Sequence, residues 1–364
     1  MTNVEPPDDI PPNWRSTFRG QYGDCVQSRL KAYREEREDE YRDKLKTDIA
    51  NDKRHRQLLN LCIFPFVEYQ PLGYEFIRAD PLEELGEPNF DFLLFDFDGH
   101  AIFGECKANI GEGWESECVK DVIKEREAVE KHEDYIVENY LGSEIRHKEF
   151  VLAVFSPDAD QITREILKQK EKIVTWRVHR MEDKRINVNT SAPPREDWPE
   201  DPDEYYDLIQ HDHHALNSRL RQLKSSTECF DLFPESYPVT ELRTLITARH
   251  KVTGSCYVDQ DTLLQTIRDS LYYLTDERQD EILNSIIKDA KEINYLRGWD
   301  GEEGDYKIVS RYTDSDGLEE TLSSKWIEYK VEEEKDEIRN SCWNEVHEEI
   351  LSIAKAQTEL DDYY

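Results

Sequence analysis

Apolar and polar positions change period several times along this chain of 364 residues. From about Tyr22 to Leu59 the spacing predicts a long helical stretch. Phe90, Phe92, Leu93, Leu94, Phe95 and Phe97 then form an aromatic and apolar run. Pro88 precedes it and Asp98-Gly99 follows it, which predicts a strand. Ala101, Ile102 and Phe103 resume the pattern and predict the second strand of a hairpin. Ala108 to Ser116 reads as a loop. Glu117 to Tyr140 has helical spacing, with Val119, Val122, Ile123, Val129, Tyr135, Ile136 and Tyr140 toward a core. Glu149 to Phe155 reads as a buried strand, Asp158 to Lys170 as a helix capped by Asp158 or Asp160, and Lys172 to Val178 as another strand. Met181 to Lys184 turns that strand back through Arg185 to Val188. Hairpin, helix, strand, helix and strand in this order suit an α/β (α+β) architecture: a mixed sheet flanked by helices.

Asn189 to Tyr206 is rich in proline and acid and reads as a linker. It divides the chain into an N-terminal domain, 1–188, the linker, 189–206, and a mainly helical C-terminal domain, 207–364. Asp207 to Leu223 is predicted helical; its His211 and His214, one turn apart, would need Cys229 to hold a metal, and no zinc spacing rule is met. Helices are predicted at Thr240–His250, Asp259–Leu274 and Glu277–Arg297. Strands follow at Tyr306–Tyr312 and Lys325–Val331, joined by the acidic loop Thr313–Ser324. This order resembles a winged helix, whose third helix would enter the major groove. Here that helix carries Asp280, Glu281, Asp289 and Glu292, so Arg243, Arg249, His250, Lys251, Arg297, Lys307 and Arg311 are better placed to meet phosphates. A helical interaction domain that touches no DNA is the equal alternative. Glu332 to Leu360 is an amphipathic helix with Trp343, Val346, Ile350 and Ile353 on one face, able to pack on its own domain or on a second copy in a homodimer.

The hairpin carries the chemistry. Asp91 stands near the start of its first strand and Glu105-Cys106-Lys107 closes its second. Side chains alternate along a strand, so Glu105 and Lys107 point one way and Cys106 the other. A two-residue turn at Asp98-Gly99 would set Asp91 opposite Cys106, on the wrong face. A three-residue loop, Phe97-Asp98-Gly99, pairs Asp96 with His100 and Asp91 with Glu105, and it wants the glycine that Gly99 supplies. We expect the three-residue loop or an equivalent bulge. Asp91 and Glu105 would then hold a hard divalent cation, Mg²⁺ first and Mn²⁺ as its substitute, with the Cys106 backbone carbonyl as a further oxygen. The Cys106 thiol would be inert packing. Lys107 would orient or help deprotonate an attacking water and offset charge on the phosphate.

Asn89 to Asn109 resembles the PD-(D/E)xK nuclease superfamily, the restriction-endonuclease-like fold, in which an Asp begins one strand and Glu-x-Lys ends the next. Asp91, Glu105 and Lys107 match in type, order and spacing, and the resemblance covers about Asp52 to Val188. Pro88 stands three residues before Asp91 rather than beside it, as the family signature has it. Glu-x-Lys recurs at Glu333-Glu334-Lys335, so the apolar strand and the preceding acid are what make Glu105-Cys106-Lys107 specific. The resemblance implies metal-dependent hydrolysis of DNA phosphodiesters. It also implies a further acid on the helix before the hairpin, for which Asp48, Asp52, Glu68 and Glu75 all qualify. Lys53, Arg54, His55 and Arg56 form a basic cluster that either meets phosphates or balances the acidic run Glu35 to Glu40 on a solvated face.

Composition adds a constraint. The formal net charge is −34, unusual for a nucleic-acid enzyme. In a salty cell it makes sense, because at about 1 M salt the Debye length is near 3 Å and surface acids no longer repel DNA beyond contact. A halophilic archaeon, or its virus or plasmid, is the source this suggests; a basic partner or mimicry of DNA charge is the rival. With 37% hydrophobic and 11% aromatic residues the chain is globular rather than disordered. No apolar run reaches membrane-span length, and no signal peptide is expected. Seven scattered cysteines without a Cys-x-x-Cys pair predict reduced thiols in a cytoplasmic protein. The leading expectation is a metal-dependent endonuclease acting on DNA, in defence or repair. The rivals are a nuclease-like subunit that no longer cuts and an acidic winged-helix regulator.

Overall fold

The aromatic run and its partner form two adjacent strands of a seven-stranded sheet. Its order is β1 (Glu75–Arg78), β2 (Phe92–Phe95), β3 (His100–Lys107), β4 (His147–Phe155), β5 (Val174–Arg180), β6 (Ile186–Thr190) and β7 (Ser218–Leu220). β3, β4 and β5 run parallel, and every other neighbouring pair is antiparallel. The computed structural model describes residues 5–68, 74–96, 98–111, 113–180, 186–190, 218–220, 257–270, 275–298, 305–312 and 315–361. The four-residue β1 has no counterpart among the elements the pattern predicts.

Helices cover both faces of the first five strands. The even positions of β2 and β3, Phe92, Leu94, Ile102 and Cys106, bury against Leu58, Leu61 and Cys62 of α2 (Glu38–Glu68). The odd positions, Leu93, Phe95, Ala101 and Phe103, bury against α3 (Glu115–Lys131) and α5 (Ser156–Gln169). Phe150 to Val154 of β4 are buried without interruption, as a strand covered on both faces requires. After α3 the chain runs through α4 (Glu133–Ile136) into a π turn over Val137–Leu141. α5 starts directly after Phe155, so neither Asp158 nor Asp160 caps it; Asp160 pairs with Arg177 instead.

The helical stretch predicted from Tyr22 to Leu59 is two helices, α1 (Arg15–Glu36) and α2, separated at Arg37, whose φ of −134° leaves the helical region. Neither Pro nor Gly marks the break.

The C-terminal part departs further from expectation. β8 (Tyr257–Asp259), β9 (Leu296–Gly298) and β10 (Asp305–Ile308) form an antiparallel sheet in the order β8-β10-β9, with α6 (Gln260–Ser270) and α7 (Asp276–Glu292) between β8 and β9. Asn294, at φ +59°, turns the chain out of α7, and Tyr295 N–H closes on Ala290 O at 2.8 Å. The strand predicted at Lys325–Val331 is helical. It belongs to α8 (Ser315–Asp361), so the hairpin expected between Tyr306–Tyr312 and Lys325–Val331 does not form, and β10 pairs with β9 instead. Lys-Trp-Ile-Glu-Tyr-Lys-Val alternates like a strand, but Leu318, Leu322 and Trp326 recur every four residues and bury together with Leu283 and Ile286 of α7. Ser218–Leu220 is a strand paired with β6, so these three residues of the predicted helix Asp207–Leu223 are not helical, and the rest of it lies outside the described residues. The helix predicted at Thr240–His250 lies outside the described residues.

α8 ties the two ends of the chain together. Ile327 and Val331 pack on Tyr33 and Leu45, and Val346 and Ile350 pack on Ile10 and Phe18. Cys25 of α1 is disulfide-bonded to Cys342 of α8, which corrects the expectation of all-reduced thiols. The two lie 317 residues apart, and no spacing rule reveals such a pair. Cys62 and Cys106 are free and buried; Cys118 is free and partly buried.

Candidate active site

Phe92 pairs with Gly104 and Phe95 with Ala101, the register that the three-residue loop requires. Asp96 sets the loop: its Oδ1 accepts from Asp98 N–H at 3.0 Å and from His100 N–H at 2.8 Å. Gly99 takes φ +103°, a region where a side chain would be strained. One step beyond Phe92, Asp91 therefore comes level with Glu105, at the N-terminal end of β2.

Asp91 Oδ2 accepts the Cys106 N–H at 2.6 Å, and Oδ1 lies 3.3 Å from His55 Nε2 on α2. Lys107 Nζ lies 2.5 Å from Glu105 Oε1. Cys106 itself points away into the α2-side core, where burial and its contact with Cys62 push its thiol well up, leaving it inert.

Glu125 of α3 joins this group. It is 8% exposed and its Oε2 has no hydrogen-bond partner. It is not among the sequence-predicted site residues, although it stands three residues after Val122 and four before Val129, on the buried stripe of α3. His55 was read only as part of a basic cluster.

The electrostatics follow from three acids sharing two cationic partners. Burial raises Glu105 well above the usual carboxylate range, and Asp91 and Glu125 add to this against Lys107. Burial, with Asp91 and Asp121, pushes Glu125 up to about 8. Burial also opposes the charge on Asp91, but His55, the Cys106 N–H and Lys107 outweigh it and hold that carboxyl below its ordinary value. Burial likewise opposes charge on Lys107 and His55, and their carboxylate neighbours raise both.

Among the described residues, no three His, Cys, Asp or Glu side chains stand in ligating positions. Asp91 is turned toward His55 and the Cys106 peptide, and Glu105 toward Lys107. The donor set still fits a hard divalent cation: adjacent, largely buried carboxylates whose mutual repulsion a cation would relieve.

A cleft of about 730 Å³ leads to His55, Cys106 and Lys107 from outside. α2 lines it with Tyr41, Asp48 and Asp52, and α8 with Trp326, Glu333, Glu334 and Glu337. Of the acids expected before the hairpin, Asp52 is paired with Arg56, Asp48 borders the cleft and Glu75 is exposed on β1. The Glu68 side chain lies outside the described residues.

The basic cluster divides. Lys53 and Arg54 are exposed, and the Arg54 guanidinium sits 5.1 Å from the Phe155 ring centroid. Arg56 is 2% exposed and bound to Asp52, which corrects its assignment as a phosphate contact. It falls on the same stripe of α2 as Leu59, toward the sheet. Arg311 is exposed, whereas Arg243, Arg249, Lys251, His211, His214 and Cys229 lie outside the described residues.

No family model matches the chain, and no solved structure matches it. An uncharacterized protein of Archaeoglobus fulgidus is 31% identical over 121 residues, covering 31% of this chain and 32% of that protein. The chain thus spans about a third of that relative's length. No described helix is long and apolar enough to cross a membrane.

Proposed function

We propose that the chain is a metal-dependent endonuclease of the PD-(D/E)xK type that hydrolyses DNA phosphodiester bonds. The observation that carries the reading is the β2–β3 register, which sets Asp91 beside Glu105 with Lys107 two residues on. The order antiparallel hairpin, crossover helix, parallel strand supports the restriction-endonuclease-like fold as its frame.

Asp91 and Glu105 would hold Mg²⁺ or Mn²⁺, with the Cys106 carbonyl as a further oxygen. A bound cation polarises the phosphoryl oxygen and lowers the pKa of a water beside it. His55 and the Cys106 N–H orient Asp91. Lys107, released from Glu105, orients the attacking water and offsets charge on the phosphate. The exposed Lys53 and Arg54 are the described residues best placed to meet the backbone. DNA as substrate implies a cytoplasmic setting, while the Cys25–Cys342 bond argues against a fully reducing one.

Nicking of supercoiled plasmid with Mg²⁺ in high KCl tests the reading. Wild type should nick and Lys107→Ala should not; equal activity, or none in either, overturns it. One observation favours a second reading: Glu333, Glu334 and Glu337 wall the cleft, as suits a nuclease-like subunit that binds a protein rather than cutting DNA.

A further inference from the structure

Glu125 is a buried acid of the N-terminal domain to which the proposed reaction gives no task. It is 8% exposed, lies on the buried stripe of α3 between Val122 and Val129, and leaves Oε2 without a hydrogen-bond partner. A buried carboxylate in that condition is destabilising unless something satisfies it. The Val122–Val129 stripe packs on the odd-position face of β3, the face to which Glu105 belongs, and Glu125 acts electrostatically on Glu105 and Lys107.

We propose that Glu125 is a third carboxylate ligand of the cation site, supplied by the crossover helix α3, so that the cation fastens α3 to the β2–β3 hairpin. The inference rests on the nuclease reading of Asp91 and Glu105.

Three further arguments support it. Asp52 of α2 is committed elsewhere: it is bound to the buried Arg56, and removing it would leave that guanidinium without this partner. Three ionised carboxylates outnumber the two cationic partners, Lys107 and His55, and a divalent cation offsets the excess. Mg²⁺ and Mn²⁺ take oxygen ligands in octahedral geometry, and two carboxylates leave positions that a third can fill. A purely structural Glu125 would have been better served by an apolar residue like its neighbours Val122 and Val129.

The test uses the full chain and Mn²⁺, with binding followed by the EPR signal of free ion and thermal melting recorded with Mn²⁺ and with EDTA. Asp91→Asn and Glu125→Gln should each weaken Mn²⁺ binding by about tenfold or more. In EDTA, Glu125→Gln should melt no lower than wild type, because an isosteric neutral amide replaces a partnerless acid. If Glu125→Gln binds Mn²⁺ like wild type while Asp91→Asn does not, the cation site stands and the role of Glu125 is overturned. If wild type binds no Mn²⁺, both this inference and the nuclease reading fall. Should Glu125→Gln melt lower in EDTA, Glu125→Asp decides: recovered binding supports the ligand role, and no recovery overturns it.

Discussion

The Cys106 N–H donates to Asp91 Oδ2 at 2.6 Å, fixing the acid of one strand to the peptide between Glu105 and Lys107. An amide at position 91 can keep that bond through its carbonyl oxygen but cannot pair with a charged His55 or hold a cation. Asp91→Asn should therefore fold, with a stability change of roughly 1–2 kcal/mol, bind Mg²⁺ weakly and lose cleavage. Lys107→Ala should keep most Mg²⁺ binding and also lose cleavage, since ligand and water-orienting group have separate tasks. Calorimetric Mg²⁺ titration beside plasmid nicking separates the two. Undiminished cutting by both variants would place any nuclease activity elsewhere.

Gly104 permits the hairpin core. A Cβ there would lie 1.9 Å from Phe92 Cζ, so the Phe92 ring occupies the space of the missing side chain. Gly104→Ala should destabilise by about 1–3 kcal/mol or more through overpacking, read from the urea midpoint. Phe92→Leu in the same chain should recover part of the loss. A Gly104→Ala variant as stable as wild type would show that the two strands separate easily.

The hairpin was legible because period, turn glycine and acid spacing all pointed to one register. The register that brings Asp91 level with Glu105 follows from alternation and loop length, whereas the tasks given to Asp91, Glu105 and Lys107 rest on the resemblance. The apolar stripe of α3 marks Glu125 as buried but not what it meets, and His55 stands among Lys and Arg, so neither announces a site locally. Their partners lie across the sheet. Residues 325–331 misled for the opposite reason: their alternation is strand-like, and only the distant α7 core decides for a helix. The Cys25–Cys342 pair depends on α8 folding back on α1, which no spacing records.

That disulfide should contribute measurable stability. It sits beside the Phe18, Tyr22 and Trp343 rings, where α1 and α8 pack. Reduction should lower stability by roughly 2–4 kcal/mol, seen as a lower urea midpoint with reductant present. Cys342→Ser should match the reduced wild type and ignore reductant. If reductant left wild type unchanged, the bond would not be holding these helices together.

Salt should act on both fold and cleft. The net charge of −34 makes the folded chain repel itself, and Glu333, Glu334 and Glu337 line the approach to Lys107. Raising KCl from about 0.1 M to about 1 M shortens the Debye length from about 10 Å to about 3 Å. The melting temperature should therefore rise along the series. Ordinary DNA-binding proteins lose affinity over that range as counterion release weakens. Here, screening of the acidic wall opposes that loss, so nicking should persist or increase. A melting temperature that stays flat or falls as KCl rises would end the halophilic reading. A basic partner bound to the acidic surface would then better explain the charge.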